Sequence, residues 1–260
     1  MERINDTRPR GIHRGALRTW ALLLAVGGLV GRGLIQNHIL GVGTVSTDQL
    51  LAMMNASSDT MTLVTVSLVL QFAEAMAVPL FALLLAEGVA HTASLKKYVL
   101  RVAACALAAE IPYDLLMHGK VVAMSTQNPM FGLVLGLLVI HFFRMYQGKG
   151  FKNFMVKLLV VAMGIVWARM LGVEMGEAVV LLAAPMYAFR HKPMVRNLLA
   201  AILAMVCAVF SLFFVMAPFG GLFLHFYNGE KGEAEPGKVV TYLAYPAAIL
   251  LLALAGMFLV

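Results

Sequence analysis

The sequence predicts an all-α protein, a polytopic bundle of about eight transmembrane helices with both termini in the cytoplasm. The 260 residues are 61% hydrophobic and 13% charged, and their mean hydropathy is +0.86. Soluble domains carry about 25% charged residues, so the composition is that of a membrane protein. Eight apolar runs approach the roughly 20 residues that a membrane-spanning helix needs. They occupy 17–41, 61–89, 95–117, 129–146, 153–171, 175–190, 195–217 and 239–259.

The elements follow in chain order within one membrane domain, 1–260. Residues 1–16 are a basic segment, and the apolar run after them is too long for a signal peptide, so we expect the first helix to be retained. The second run is long enough to tilt or break at Pro79, and the sixth is short enough to be a half-span. Residues 228–238, NGEKGEAEPGK, have no apolar anchor and are predicted to form a mobile loop outside the cell.

The loop charges predict the orientation. With the N-terminus inside and eight alternating helices, fifteen Lys and Arg residues fall in cytoplasmic segments and four in external ones. Cytoplasmic loops of membrane proteins are enriched in these residues, so the asymmetry places both termini in the cytoplasm. It also accounts for the net charge of +7 without a nucleic-acid partner. The lipid bilayer is the partner that the composition itself predicts.

Several charged side chains interrupt the apolar runs, where a charge is costly and indicates a functional site. Glu74 lies in the second run, Arg32 and His38 in the first, and Glu110 and Asp114 in the third. The last two are spaced i, i+4 and share one helix face. We expect these side chains to converge on one polar cavity. A purely structural network of paired or neutral carboxylates would have the same pattern, so both interpretations stay open.

Two other groups of charges have simpler explanations. Glu87, near the end of the second run, and Arg101, near the start of the third, are predicted to form a salt bridge between adjacent helices. Such a pair acts more often as a structural clamp than in catalysis. Glu174 and Glu177 come at the start of the sixth run, where carboxylates interact favourably with the helix dipole.

The motifs of several enzyme classes are missing. The sequence has no GxxxxGK[ST], no GxGxxG after a strand, no HExxH, no CxxC and no GxSxG, so an ATPase, a Rossmann enzyme and a zinc protease are unsupported. Cys105 and Cys207 lack the spacing of metal ligands, and no metal site is predicted. A membrane-embedded transferase, a transporter and a non-catalytic partner subunit remain open.

Three segments within residues 78–145, VPLFALLLAEGVAHTASLKKYVLRV, EIPYDLL and QNPMFGLVLGLLVI, resemble the TraX family. These are bacterial multi-pass membrane proteins named after a factor linked to N-terminal acetylation of conjugative pilin. The chain departs from the family pattern in its first helix, which reads GGLVGRGLIQNHIL without the usual Asp-His pair. It departs again at Glu74-Ala75, where the family favours Gly-Arg.

The resemblance implies a bacterial inner-membrane acyltransferase that moves acetyl from acetyl-CoA to an amine or hydroxyl of an exported polypeptide or glycan. The candidate catalytic residues are then Glu74, Glu110, Asp114 and His38. The candidate substrate-binding residues are Arg32, Asn128, Glu87 and Arg101. A basic cytoplasmic rim would attract the phosphates of CoA, and its candidates are Lys96, Lys97, Arg144 and Arg190.

The basic rim has an alternative explanation, and so does the function. Ordinary positive-inside topology would produce the same basic rim without any CoA site. The main functional alternative is a catalytically silent TraX-like subunit that binds a membrane or exported protein partner. A transporter comes third, because no pair of Gly- or Pro-broken helices repeats across the chain.

Overall fold

The computed structural model describes residues 11–148, 150–232 and 238–259, and within these ranges the chain is helical apart from loops and two isolated bridges. The predicted all-α class is therefore confirmed for this part of the chain. Helix α1 covers Arg14–Leu29 and continues in π-helical form over Val30–Ile39. The other α-helices are α2 (Thr47–Ala56), α3 (Ser58–Ala75), α4 (Ala77–His91), α5 (Leu95–His118), α6 (Met130–Met145), α7 (Phe151–Met170), α8 (Gly176–Ala188), α9 (Pro193–Val206), α10 (Gly220–His225) and α11 (Lys238–Leu259).

Within the described ranges, four helical stretches are long and apolar enough to cross a membrane: Arg14–Ile39, Ser58–His91, Phe151–Met170 and Val240–Phe258. Helices α6, α8 and α9 are apolar but shorter. Helix α5 has 24 residues and more charge. The structure thus supports a membrane protein, with fewer full-length apolar helices than the eight predicted spans.

The second run breaks, as the sequence predicts. Helix α3 ends at Ala75 and α4 begins at Ala77. Pro79 explains the position, because proline has no backbone N–H and its ring conflicts with the carbonyl four residues earlier, that of Ala75. The break places Glu74 at the end of α3, deep inside the bundle.

Helix directions follow from contacts between their ends. We call the end of the bundle at which α1 begins, at Arg14, the proximal face. The end at which the π-helical segment stops, at Ile39, is the distal face. Helix α4 ends proximally, because Glu87 pairs with Arg14 at 2.9 Å. Helix α5 ends distally, where His38 Nε2 lies 3.1 Å from the carbonyl oxygen of Leu116.

Helices α6 and α8 run side by side in the same direction. The loops before them are joined, because the Glu174 N–H donates to the Gln127 carbonyl at 3.0 Å. A Cβ on Gly132 would lie only 3.0 Å from the Cα of Gly176, so glycine permits this close approach. Tyr187, near the end of α8, packs in the same cluster as the start of α5, so both helices end proximally.

The predicted seventh span, 195–217, does not cross the bundle. After α9 the chain turns at Ser211 and returns through a 3₁₀ segment, Leu212–Phe219, and α10. The Asn197 side chain donates to the carbonyl of Leu224 at 3.0 Å, so the start of α9 lies beside the end of α10. The α9–α10 segment is therefore a hairpin that enters from the proximal face and leaves through it.

Because of the α9–α10 hairpin, the segment that begins at residue 228 does not lie on the predicted face of the bundle. Ile12 N donates to Phe226 O at 2.8 Å, and Arg14 N donates to Glu230 O at 2.7 Å. The segment 226–232 therefore lies at the proximal face beside the start of α1, and the prediction that it lies opposite the N-terminal segment is wrong. Residues 233–237 lie outside the described ranges, and so does the 1–10 part of the basic N-terminal segment.

The start of α1 and the end of α11 do not lie at one face, which is contrary to the prediction of both termini on one side. Helix α11 begins proximally, where Arg18 donates to Thr241 at 3.1 Å. It ends distally, where Gly256 packs against the His38 ring. Because α11 runs parallel to α1, the last described residues lie at the face opposite to α1's start.

Candidate functional site

A cavity of about 840 Å³ lies between α1, α4, α5 and α11. Glu74, Met175 and Tyr245 line its inner end. Its walls are mostly apolar, and basic side chains surround its proximal mouth. These mouth residues are Arg14, Arg18, Lys97, Arg101 and Lys231. We call this space the proximal cavity.

Glu74 is the acidic side chain at the inner end of the proximal cavity. It is 2% exposed, and both of its carboxylate oxygens accept from Arg32 Nη2, at 2.9 and 2.8 Å. Gly28 makes room for it, because a Cβ there would collide with the Glu74 carboxylate. The predicted proximity of Glu74 and Arg32 is confirmed, and the break after Ala75 is what brings α3 to an end beside the π-helical turn that carries Arg32.

Arg32 holds a second carboxylate, that of Glu174, in a close ion pair. The Tyr113 hydroxyl donates to Glu174 Oε2 at 2.6 Å. We call Arg32, Glu74 and Glu174 the Arg32 cluster. Two carboxylates on one guanidinium leave an excess negative charge when both are ionised, so the cluster is suited to take up one proton or another cationic group.

A second cavity, of about 410 Å³, lies on the other side of the cluster. We call it the distal cavity. Arg32 and Glu174 line it, together with Arg169 and Glu177, which pair at 3.3 Å. The tip of the α9–α10 hairpin supplies aromatic side chains. The members from this tip are Phe210, Phe213 and Phe214.

Met175 is the one side chain that lines both described cavities. Its φ of 56° places it in the left-handed region, which a residue other than glycine rarely adopts. Strained backbone of this kind concentrates at functional sites. Here it directs the neighbouring Glu174 to Arg32 and the start of α8 along α6.

The other three predicted catalytic residues do not join the cluster. Glu110 accepts from the backbone N–H of Asn128 at 3.2 Å. Asp114 Oδ2 accepts from the backbone N–H of Ala123 at 2.7 Å, and His38 contacts the carbonyl of Leu116. None of the three lines either described cavity. The predicted convergence of all five charged residues on one cavity is therefore wrong; only Glu74 and Arg32 meet.

Asn128, a predicted substrate-binding residue, is fully buried. Its Nδ2 donates to the carbonyl of Ala106 at 2.9 Å and to Glu110 in a short contact. Its Oδ1 accepts from the Met130 N–H at 3.0 Å, which caps the start of α6. Asn128 and Glu110 thus fix the loop between α5 and α6, and this loop in turn pairs with the segment that carries Glu174.

The predicted salt bridge between Glu87 and Arg101 is wrong. Glu87 pairs with Arg14 at 2.9 Å. Arg101 Nε donates to the carbonyl of Lys97 at 3.2 Å, and its guanidinium lies 6.0 Å from the Tyr242 ring centre. Sequence reasoning looked for the partner of Glu87 in the next helix, whereas the structure supplies it from the start of the first.

Of the four predicted CoA-binding residues, only Lys97 lines the proximal cavity. Lys96 and Arg144 are exposed elsewhere, and Arg190 lies 4.4 Å above the Tyr187 ring. Sequence reasoning missed Arg14 and Arg18, although their i, i+4 spacing is a readable signal for one basic helix face. It also assigned Glu174 to a helix terminus, when its partner is Arg32.

A family model described as "TraX protein" matches residues 37–256. The match includes Glu74, Tyr113 and Glu174, and it starts five residues after Arg32. No curated protein and no solved structure matches the chain. Within the described residues, no group of three or more His, Cys, Asp or Glu side chains is arranged to hold a metal ion.

Proposed function

The chain belongs to the TraX family, and we propose that it is a membrane-embedded acyltransferase that moves acetyl from acetyl-CoA to an amine or hydroxyl of an exported molecule. One observation carries the proposal: two cavities approach the buried Arg32 cluster from opposite sides. A donor in one cavity and an acceptor in the other would meet at the same charged group. CoA would then stay on one side of the membrane while its acetyl group reaches the other.

The distribution of basic residues supports an inner-membrane protein whose proximal face is cytoplasmic. Among the described side chains, twelve Lys and Arg residues lie towards the proximal end, and two, Lys120 and Arg169, towards the distal end. We therefore keep the predicted orientation of the first helix and infer seven crossings, one hairpin and an external end of α11. The proximal residues are Arg14, Arg18, Lys96, Lys97, Arg101, Arg144, Lys152, Lys157, Arg190, Lys192, Arg196 and Lys231.

The proximal cavity suits acetyl-CoA in two respects. Its mouth carries several cations, which attract phosphates through charge-assisted hydrogen bonds. Its apolar walls suit the uncharged arm of CoA, and its volume of about 840 Å³ falls within the range of small-molecule sites. An extended donor bound with its phosphates at the mouth would direct its thioester to Glu74 at the inner end.

The Arg32 cluster supplies the groups that acyl transfer requires. Arg32 Nε is buried without a hydrogen-bond partner among the described residues. This N–H would stabilise the negative charge that develops on a thioester oxygen brought up to the cluster. Glu174, which lines the distal cavity, is placed to take the proton of the acceptor. Glu74 holds Arg32 in position through its two hydrogen bonds.

The deciding experiment is acetyl transfer by the purified protein in proteoliposomes. Acetyl-CoA labelled in the acetyl group is supplied with a panel of peptide amines and saccharide hydroxyls, and label in the acceptor is counted. We expect transfer by the wild type and its loss in Arg32→Leu and Glu174→Gln. Lys96→Gln serves as the matched control, because Lys96 lies next to Lys97 but outside the cavity.

The same experiment separates the other two functions. A transporter would move an unmodified solute across the vesicle membrane, a reading that the two opposed cavities also favour. A silent subunit would neither bind acetyl-CoA nor transfer acetyl, and would instead copurify with a membrane or exported protein. Absence of acetyl-CoA binding at millimolar concentration would overturn the transferase proposal.

A further inference from the structure

The segment that joins α7 to α8 passes from one cavity to the other at Met175. Residues 172–174, which precede it, line the distal cavity and not the proximal one. Val179, four residues later and therefore on the same side of α8, lines the proximal cavity and not the distal one. Met175 itself lines both. Its side chain therefore lies at the boundary between the proximal and distal cavities.

Hydrogen bonds on both sides hold the backbone of Met175 at this boundary. The Glu174 N–H donates to the carbonyl of Gln127 at 3.0 Å, and the Met175 carbonyl accepts from the Val179 N–H at 3.1 Å. The Met175 φ of 56° suits glycine, which has no Cβ, better than a residue with a side chain. A long side chain thus occupies a position where glycine would be less strained.

Packing accounts for part of the Met175 side chain but not for its place between two cavities. Met175 is half-buried and packs against a core cluster that includes Val179 and Leu182. A core side chain is surrounded by protein, whereas Met175 also borders open space on two sides. Methionine is unbranched and has three rotatable bonds, so it can change its rotamer within such space. A flexible side chain at this boundary passes a small group and obstructs a larger one.

We propose that Met175 sets the length of the acyl group that the donor can carry, accepting the two-carbon acetyl group and excluding longer chains. The inference rests on the proposed acyltransferase function and adds the donor selectivity of the same site. A thioester that enters through the proximal mouth would bring its acyl group to the inner end, between Glu74 and Met175. The acetyl methyl group would end against Met175, and each further methylene would need the space that this side chain fills.

The transfer step is the same for every chain length. The acceptor N or O bonds to the acyl carbon as the C–S bond breaks, and the acceptor's proton replaces the acyl group on sulfur. Only the space beyond the acyl carbon therefore distinguishes one donor from another. Met175→Ala removes the γ-carbon, the sulfur and the ε-carbon, and a butyryl group is two carbons longer than acetyl. The released space is thus of the size that a butyryl group needs.

The test measures the dissociation constants of acetyl-CoA and butyryl-CoA by calorimetry, with the full-length protein in nanodiscs. The wild type should bind butyryl-CoA about tenfold more weakly than acetyl-CoA, because the added methylenes meet a filled space. Met175→Ala should bind butyryl-CoA at least as tightly as acetyl-CoA, with the constant for acetyl-CoA changed by less than about threefold. Met175→Leu is the matched control, since leucine has a similar volume and should keep the wild-type ratio.

A second variant guards against misfolding of the first. Met175→Gly makes the same space and suits the φ of 56°, so it should show the same shift in preference. In the transfer assay, turnover on the two donors should shift in parallel with binding. An unchanged ratio of the two dissociation constants in Met175→Ala and Met175→Gly, or a wild type that binds both donors equally, would overturn the role of Met175 while the acyltransferase stands. A wild type that binds neither donor would overturn both.

Discussion

The proximal and distal cavities differ in size, walls and charge. The proximal cavity, about 840 Å³, has apolar walls and an unbalanced set of cations at its mouth. The distal cavity, about 410 Å³, has paired charges, Arg32 with Glu174 and Arg169 with Glu177, beside aromatic side chains. The excess of cations at the proximal mouth suits an anionic ligand, and the paired charges of the distal cavity suit chemistry that needs a fixed local field. Under the proposed function, donor binding and reaction would therefore occur at different ends of the bundle.

The largest expected difference between the two cavities is that they face opposite sides of a membrane. We expect Gly229→Cys to be protected from an impermeant thiol reagent in intact cells and labelled after permeabilisation. Asp48→Cys, in α2 at the distal end, should be labelled in intact cells. The native Cys105 and Cys207 are buried and contribute little background. Labelling of Gly229→Cys in intact cells would contradict the topology.

Arg32 belongs to the boundary between the cavities, so its removal should have the largest effect on turnover. Arg32→Leu leaves Glu74 and Glu174 without their common cation. We expect about a thousandfold loss of acetyl transfer and a destabilisation of about 3–5 kcal/mol, seen as a lower unfolding temperature.

Arg169→Leu is the matched control for Arg32. It removes the other arginine of the distal cavity, whose side chain is 71% exposed. Exposed ion pairs contribute about 0–1 kcal/mol, so the unfolding temperature should change little. Equal destabilisation by Arg32→Leu and Arg169→Leu would show that the Arg32 cluster stabilises the fold no more than an exposed ion pair does.

A smaller effect is expected at Gly28, where the backbone of α1 lies close to the Glu74 carboxylate. A methyl group added by Gly28→Ala would collide with the Glu74 carboxylate, and overpacking of this kind costs about 1–3 kcal/mol. We expect roughly a tenfold loss of turnover in the transfer assay. Gly27→Ala is the control, because its Cβ would lie 3.6 Å from Leu70 Cδ2, an ordinary contact. Similar losses in both variants would mean that α1 tolerates no added methyl group here.

The smallest predicted effect is on the affinity for acetyl-CoA at the mouth of the proximal cavity. Lys97→Gln removes one cation that lines the cavity, whereas Lys96→Gln removes an adjacent one that does not. Loss of one charge-assisted contact to phosphate should weaken acetyl-CoA binding by about fivefold. Lys96→Gln should bind as the wild type does, measured by calorimetry at fixed ionic strength. An equal loss in both variants would indicate general attraction by the basic face rather than a defined site.

Sequence reasoning located the Arg32–Glu74 region because charge within apolar sequence needs a partner, and that rule holds whatever the helix topology. It missed the turn at Ser211, because an apolar hairpin and a straight apolar span have the same hydropathy. It missed the pairing of Ile12 with Phe226, since bonds between backbone groups leave no mark on side-chain identity. Missing the turn reversed the inferred side of everything that follows Ser211.

The backbone pairing of residues 11–14 with 226–231 also has a consequence for biogenesis. Arg14 and Lys231 belong to the same cavity mouth but lie near opposite ends of the chain. Synthesis proceeds from the N-terminus, so the earlier helices enter the membrane before residues 226–231 have been translated. The mouth of the proximal cavity cannot be complete until the chain has been made as far as Lys231. A chain that stops before residue 226 would therefore insert without a complete cavity mouth.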